Sequence, residues 1–193
     1  HVTPHRNPQN GVGPPGVGPD LRDEATLARP WAIPGTPGLM HRIGGIEKQD
    51  GTGNVNYEPA NLELMVTLRA AKIAGIAKDI PGVEVDDADG DAELLVLGWG
   101  STWGAIKAAS RRVRGAGHKV ATANLVHLNP FPANLGEVLA RYPKVLIPEM
   151  NLGQLSRLVR AEYLVDAKSL TKVSGLPFRA AEIEAKILEM IDV

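Results

Sequence analysis

The sequence lacks cysteine, has few aromatic residues and carries almost no net charge. Without cysteine, the 193 residues can form no disulfide and supply no thiolate to zinc or to an iron–sulfur cluster. The 21 basic and 22 acidic residues leave a net charge of −1, which lacks the basic excess of a nucleic-acid-binding protein. No run of about 18 apolar residues occurs, so no membrane-spanning helix is predicted.

Against these deficits stands an apolar fraction of 44%, enough for a core that hides roughly 70% of the unfolded surface. The absence of cysteine fits a cytoplasmic protein best. A basic stretch followed by an apolar one is not found after His1, so no signal peptide is predicted. Residues 1–20 hold five prolines and four glycines among few apolar side chains. This composition predicts a flexible tail.

Residues 21–82 are predicted to form a long Gly/Pro-rich extended segment that lies on another surface, followed by one long helix. Apolar residues recur at helical spacing after Asn61, which is the predicted N-cap, and Pro81-Gly82 is the predicted stop. Residues 83–91 contain five acidic side chains and no basic one. They are predicted to be a solvated linker.

Apolar strands alternate with amphipathic helices over residues 91–193. Strands are predicted at 93–97, 119–126 and 144–147, with a weaker one near 170–173. This alternation is typical of an α/β fold with a mostly parallel sheet and helices on both faces. The helix residues predicted to face inward are Ile106, Ala109, Val113 and Ala116; Leu135, Val138 and Leu139; Leu155, Leu158 and Val159; and Ile183, Ile187, Met190 and Ile191.

Two strand-to-helix turns carry motifs. Gly98–Gly104 reads GxGxxxG rather than GxGxxG, and the next predicted strand ends in Val126 rather than an acid. These features favour capping by Ser101 or Thr102 over dinucleotide binding. The second turn contains Glu149, Asn151 and Gln154, for which both helix capping and an interface or ligand role stay open.

The remaining polar residues suggest no reaction. Lys107, Arg111, Arg114 and His118 lie on one helical face, which is either solvated or meets an acidic partner, and solvation is favoured. No Ser–His–Asp or HExxH pattern is present, and the histidines lack metal-ligand spacing. No catalytic residue and no metal ligand are therefore assigned.

Five ordered segments resemble the alpha subunit of 2-oxoacid:ferredoxin oxidoreductases. They read RPWAIPGTPG, HRIGGIEK, GWGSTWG, HLNPFPAN and PEMNLGQL. The resemblance runs from about residue 21 to the C-terminus and leaves residues 1–20 unexplained. LRDEATLARPWAIPGTPG and GGIEKQDGTG are similar to the bacterial 2-oxoglutarate type, also called 2-oxoglutarate synthase.

The resemblance implies an alpha–beta assembly that decarboxylates a 2-oxoacid on thiamine diphosphate with Mg²⁺. It implies acyl transfer to coenzyme A and electron transfer to ferredoxin through an Fe–S cluster. Residues 21–82 would be the end of a pyrimidine-side thiamine domain, and residues 91–193 a domain like the transketolase C-terminal domain. The implied partners are the beta subunit, ferredoxin and a second alpha subunit. We expect no cofactor or metal ligand in this chain, which alone is predicted to be inactive.

The resemblance carries over few site residues. Relatives place an arginine in an SPRxxPG segment that is thought to hold the substrate carboxylate, but Trp31 occupies that position here. Arg29 and Arg42 are therefore the candidates for substrate binding. Glu47 resembles a glutamate in the loop that closes the thiamine domain, and it joins Glu149, Asn151 and Gln154 as an interface or active-site-loop candidate.

Three other interpretations stay open at this point. The chain could be a non-catalytic dimerisation or assembly module of the same fold. It could resemble the beta subunit of a 2-oxoacid dehydrogenase complex, although the GGIEKQDGTG loop argues against that. Gly98–Gly104 could also bind NAD or coenzyme A.

Overall fold

The structure is a computed structural model that describes residues 22–29, 35, 37 and 44–191. The chain divides into two compact units between Asp79 and Ile80. The predicted tail 1–20 and the candidate Arg42 lie outside the described residues. Within the described ranges, no helix combines the length and the apolar character needed to cross a membrane.

The first unit contains helix α1 (Pro59–Gly75), followed by a single 3-10 turn at Ile76–Lys78. The predicted N-cap at Asn61 is wrong. Glu58 is the N-cap and Pro59 takes the first helical position, where its missing N–H leaves no hydrogen bond unmade. The helix also ends well before Pro81-Gly82, the predicted stop.

The second unit is built on a five-stranded sheet with the order β1-β3-β2-β4-β5. Its strands are β1 (Val85–Asp86), β2 (Leu94–Trp99), β3 (Ala121–Leu125), β4 (Lys144–Glu149) and β5 (Ala167–Thr171). All neighbouring strands pair in parallel except β1, which runs antiparallel to β3 at one edge. The helices are α2 (Trp103–Gly115), α3 (Leu135–Ala140), α4 (Gln154–Tyr163) and α5 (Ala180–Ile191).

The sheet separates two hydrophobic cores, because successive strand residues point to opposite faces. Leu95 and Leu97 of β2 pack on one face against α3 and α4. Leu94 and Val96 pack on the other face against α2 and α5. The predicted α/β fold with a mostly parallel sheet and helices on both faces is therefore confirmed.

Two of the inward-facing predictions are wrong. Ala116 is exposed, because α2 already ends at Gly115. Leu158 is 55% exposed, while Leu155 and Val159 of the same helix are buried. Of the three apolar residues of α4 that were predicted to face inward, only Leu155 and Val159 therefore do so.

The predicted solvated linker at 83–91 is confirmed only in part: residues 84, 86 and 88–91 are exposed, but the segment also contains buried and paired residues. Val83 is buried, and the following residues form the edge strand β1. Asp86 accepts hydrogen bonds from Arg114 at 3.1 Å and from Lys107 at 3.3 Å. Partial burial opposes ionisation of Asp86, but these two cations outweigh it and hold the pKa of the carboxyl below its usual range. Asp86 thus pairs with Lys107 and Arg114 of α2, two members of the basic stripe.

The strand order locates the point where the sheet changes direction. The chain passes from β2 to β3 on one side and then to β4 on the other side of β2. In open α/β sheets, ligands bind outside the carboxyl ends of the strands at such a point. The loops after β2 and β4 meet there, with the Ser101 hydroxyl 3.6 Å from the sulfur of Met150.

Candidate functional site

A cavity of about 390 Å³ lies in the first unit and is lined mainly by cations and apolar side chains. Its apolar surface includes Leu27, Met65 and Leu68, and among the described residues Glu47 is the one carboxylate that lines it. The cationic residues that line it are Arg22, Arg29, Lys48, Arg69 and Lys72. Such an excess of positive charge in a concave site favours an anionic ligand.

Helix α1 supplies one wall of this pocket. Met65, Leu68, Arg69 and Lys72 all line the cavity. Spacings of three and four residues place side chains on the same helical face. The wall therefore has an apolar base and two cations further along the helix.

Glu47 fixes the direction of Arg69. Only 9% of Glu47 is exposed, and both of its carboxylate oxygens accept from the Arg69 guanidinium at 3.3 to 3.5 Å. The hydrogen bond from Arg69 is the main cause that lowers the pKa of Glu47, with help from the Lys48 amide and, more weakly, from the charge of Arg29. The lowered pKa makes the Glu47 carboxylate a weak base, and its contacts show that it pairs with Arg69.

The segment 22–29 brings two arginines to the pocket. The Asp23 carboxylate accepts from the backbone N–H of Ala25 at 3.1 Å and of Thr26 at 2.7 Å, which closes a tight turn. Arg22 stands before this turn and forms an ion pair with Asp50. Arg29, the other end of the segment, lines the cavity as well.

The structure therefore brings together Arg29 and Glu47, which the sequence had separated into different roles. It adds Arg22, Arg69 and Lys72, which the sequence analysis missed. The signal for the last two was the spacing of Arg69 and Lys72 relative to Met65 and Leu68. Guanidinium groups bind carboxylates and phosphates with paired hydrogen bonds, so the arginines that line this pocket are side chains of the kind that binds an anion.

The candidates at the end of β4 have a different role. Glu149 is fully buried and accepts from the backbone N–H of Leu155 at 2.7 Å and of Ser156 at 3.0 Å, and from the Ser169 hydroxyl at 3.2 Å. Glu149 therefore binds N–H groups of the first turn of α4 that have no partner within the helix. The helix dipole also favours a negative charge at this end. The side chain of Glu149 is accounted for by these contacts.

Asn151 and Gln154 lie at the surface of the same turn. The Asn151 side-chain oxygen accepts from the N–H of Gly153 at 2.7 Å and of Gln154 at 2.9 Å. Gly153 adopts φ +85°, a conformation that glycine reaches without strain. Capping thus explains Asn151, while the Gln154 side chain is exposed; an interface role for these residues stays a prediction.

Of the three glycines in Gly98–Gly104, packing accounts for Gly98. A Cβ on Gly98 would stand 2.7 Å from Cδ1 of Ile106, so the glycine allows α2 to lie close to the sheet. Thr102 stands at the N-cap position of α2 without capping it. Its hydroxyl instead donates to the Trp99 carbonyl at 2.8 Å.

No set of three or more His, Asp or Glu side chains placed to hold a metal occurs in the part of the chain that the structure describes. The sequence contains no cysteine. The sequence therefore offers no thiolate ligand to an Fe–S cluster.

Comparison with known proteins identifies relatives of both units. The family model of pyruvate:ferredoxin oxidoreductase core domain II matches residues 92–184. The subunit KorA of the 2-oxoglutarate oxidoreductase of Mycobacterium tuberculosis is 62% identical over 165 residues, which cover 86% of this chain and 25% of that protein. The alpha subunit of 2-oxoacid:ferredoxin oxidoreductase 2 of Aeropyrum pernix is 31% identical over 78% of this chain and 24% of its own length.

A solved structure shows the same architecture. The 2-oxoglutarate:ferredoxin oxidoreductase of Magnetococcus marinus, determined with 2-oxoglutarate, coenzyme A and succinyl-CoA bound, superimposes with a TM-score of 0.80 and 34% identity. The match covers 89% of this chain and 30% of that one. The chain therefore spans between 24% and 30% of the length of these relatives.

The capping role of Glu149 can be tested by replacing its carboxylate. In Glu149→Gln an amide NH₂ would face the buried N–H groups of α4, so we expect the free energy of unfolding to fall by about 2 kcal/mol. Urea unfolding followed by circular dichroism measures this change. Gln154→Ala, an exposed change in the same turn, is the control and should leave stability within about 0.5 kcal/mol. Equal stability of Glu149→Gln and wild type would refute the capping role.

Proposed function

Since the chain belongs to the family of 2-oxoacid:ferredoxin oxidoreductase alpha subunits, we propose that it is part of the alpha subunit of an enzyme that acts on 2-oxoglutarate. The proposed reaction is oxidative decarboxylation to an acyl-CoA with reduction of ferredoxin. The 62% identity to the 2-oxoglutarate oxidoreductase subunit of M. tuberculosis supports 2-oxoglutarate as the substrate.

The observation that carries this proposal is the cationic pocket of the first unit. 2-Oxoglutarate is a dicarboxylate, so an enzyme that selects it over pyruvate needs a cation for the carboxylate far from the 2-oxo group. Arg29 and its neighbours offer cations beside apolar side chains that suit the intervening methylenes. Arg29 thus takes over the role that the family resemblance gives to the position of Trp31.

The cofactors and the remaining partners belong to the rest of the assembly. We assign thiamine diphosphate, Mg²⁺ and the Fe–S cluster to parts of the enzyme outside these residues, with coenzyme A as co-substrate. The partners are a beta subunit, ferredoxin and a second alpha subunit, in the cytoplasm. Residues 21–82 complete a thiamine domain and 91–193 form the transketolase-like domain; neither part is active alone.

A second part of the proposal concerns the carboxyl edge of the sheet. Val126, Leu152 and Val173 follow β3, β4 and β5 and are 78%, 68% and 65% exposed. Exposed apolar residues grouped at one edge mark an interaction surface, and Asn151 and Gln154 lie on the same edge. We assign this edge to contact with the beta subunit.

The function is tested first on the full-length alpha subunit purified with its beta subunit under anaerobic conditions. We expect reduction of ferredoxin that requires both 2-oxoglutarate and coenzyme A. The 193-residue chain alone should give none. An assembled complex without activity on any 2-oxoacid would favour the non-catalytic assembly module instead.

The role of Arg29 is tested by the ratio of two substrates. Arg29→Met should lower kcat/KM for 2-oxoglutarate about 10- to 150-fold, which corresponds to a loss of about 1.5–3 kcal/mol of transition-state stabilisation, since a charged hydrogen bond is lost. The kcat/KM for 2-oxobutyrate, which lacks the second carboxylate, should change little. Arg111→Met removes an exposed cation of α2 and should alter neither value. A parallel loss for both substrates would show that Arg29 does not read the distal carboxylate.

The edge contact is tested by recovery of the partner. Leu152→Glu places a charge in the proposed interface and should reduce copurification of the beta subunit severalfold. Leu164→Glu is the matched control, because Leu164 is 89% exposed and follows α4 at the opposite end from its first turn. Full recovery of the beta subunit with Leu152→Glu would place the interface elsewhere.

A further inference from the structure

The cationic pocket is not shaped by its lining residues alone. Two of the residues that line it, Glu47 and Lys48, belong to the turn over residues 47–56. This turn is closed by a bridge between Lys48 and Val55 and by the bond from the Gln49 N–H to the Asn54 carbonyl at 2.6 Å. The turn carries two carboxylates that pair with arginines of the pocket. Glu47 holds Arg69, and Asp50 holds Arg22.

One side chain ties this turn to the helix. The Asn61 amide NH₂ donates to the Lys48 carbonyl at 2.9 Å, and its oxygen accepts from the Asp50 N–H at 3.1 Å. The two contacts span 13 and 11 residues of sequence, so they fix tertiary geometry rather than a local turn. The Asn61 amide thus uses both its NH₂ and its oxygen. The Lys48 carbonyl and the Asp50 N–H that it binds lie on either side of Gln49, in the stretch between Glu47 and Asp50.

We propose that Asn61 is the positioning residue of the cationic pocket. Its amide fixes the position of the 47–56 turn relative to the axis of α1. The position of the turn then determines where Glu47 pairs with Arg69 and where Asp50 pairs with Arg22. Ion pairs between long side chains are weak and variable when their backbones are free to move. With the turn fixed, Arg22 and Arg69 present their remaining N–H groups to the cavity in one arrangement, which lowers the entropic cost of holding an anion.

The inference deepens the proposed function and rests on it for the identity of the anion, a dicarboxylate. It assigns Asn61 no contact with substrate, since Asn61 does not line the cavity. It also explains why an asparagine stands in the first turn of α1 without capping it: its hydrogen bonds go to the turn instead.

The test uses the assembled alpha–beta complex and two readouts. The first is the KM for 2-oxoglutarate, with kcat and the KM for coenzyme A as internal references. The second is the dissociation constant of glutarate, a five-carbon dicarboxylate without the 2-oxo group, measured by calorimetry. Asn61→Ala should raise both the KM for 2-oxoglutarate and the dissociation constant of glutarate about tenfold, while kcat and the KM for coenzyme A stay within about twofold.

Two further variants separate positioning from general damage. Asn61→Asp keeps the acceptor for the Asp50 N–H but loses the donor to Lys48, and should give an intermediate effect on the same two quantities. Asn54→Ala removes an exposed amide from the same turn, one that makes no side-chain hydrogen bond within the described residues. It should behave as wild type. If Asn61→Ala does not assemble, Asn61→Asp is read by the same criteria.

The outcomes distinguish this inference from the proposed function. A folded Asn61→Ala complex with unchanged KM and unchanged glutarate affinity would overturn the positioning role, as would a tenfold fall in kcat alone. Failure of the wild-type complex to bind glutarate would also overturn it. If the wild type binds glutarate but does not oxidise 2-oxoglutarate, the proposed function fails, and the ratio of glutarate affinities still decides for or against Asn61.

Discussion

The central strand β2 is the element on which the second unit depends. Its residues Leu94–Leu97 have no exposed surface, and they pair with β3 on one side and β4 on the other. Because alternate residues feed opposite cores, a one-residue slip of β2 would exchange the contents of both faces. Because β2 lies in the middle of the sheet, the chain adds β3 on one side of it and β4 on the other. This reversal of strand order brings the loops after β2 and β4 together. The architecture and the exposed carboxyl edge thus follow from one buried strand.

The first unit is organised on a different principle. Met65 is the one residue of α1 that is buried, so apolar packing within the described residues explains little of its arrangement. Its long-range order comes from polar contacts: Arg22 with Asp50, Arg69 with Glu47, and the Asn61 amide with the backbone of the turn. A unit held in this way can keep charged groups in a concave surface, where a densely packed apolar core would exclude them.

These two principles decide how much the sequence reveals. The strands and helices of the second unit follow from apolar periodicity, and helices on both faces of the sheet follow from the continuous apolar strands. Periodicity says nothing about pairing between distant charges, which is why 83–91 was predicted to be solvated although Asp86 meets Arg114 of α2. Asn61 is a second example of a long-range polar contact that periodicity does not reveal. Its residue type and its place at the start of a helical pattern suggest an N-cap, and only the fold shows that it binds the backbone of Lys48 and Asp50.

Glu47 and Glu149 show why site residues are harder to predict than elements. Both are glutamates in glycine-containing turns, both are buried, and the sequence placed both in one group of candidates. The Glu149 carboxylate accepts hydrogen bonds from backbone N–H groups of α4 and from the Ser169 hydroxyl, so these contacts within the fold account for its side chain. Glu47 is balanced mainly by Arg69, whose side chain is 55% exposed. The guanidinium has five N–H donors, and a single carboxylate does not occupy them all. A buried carboxylate leaves a cation available to a ligand only when the carboxylate pairs with a cationic side chain that also lines the cavity. Glu47 and Arg69 of the first unit meet this condition.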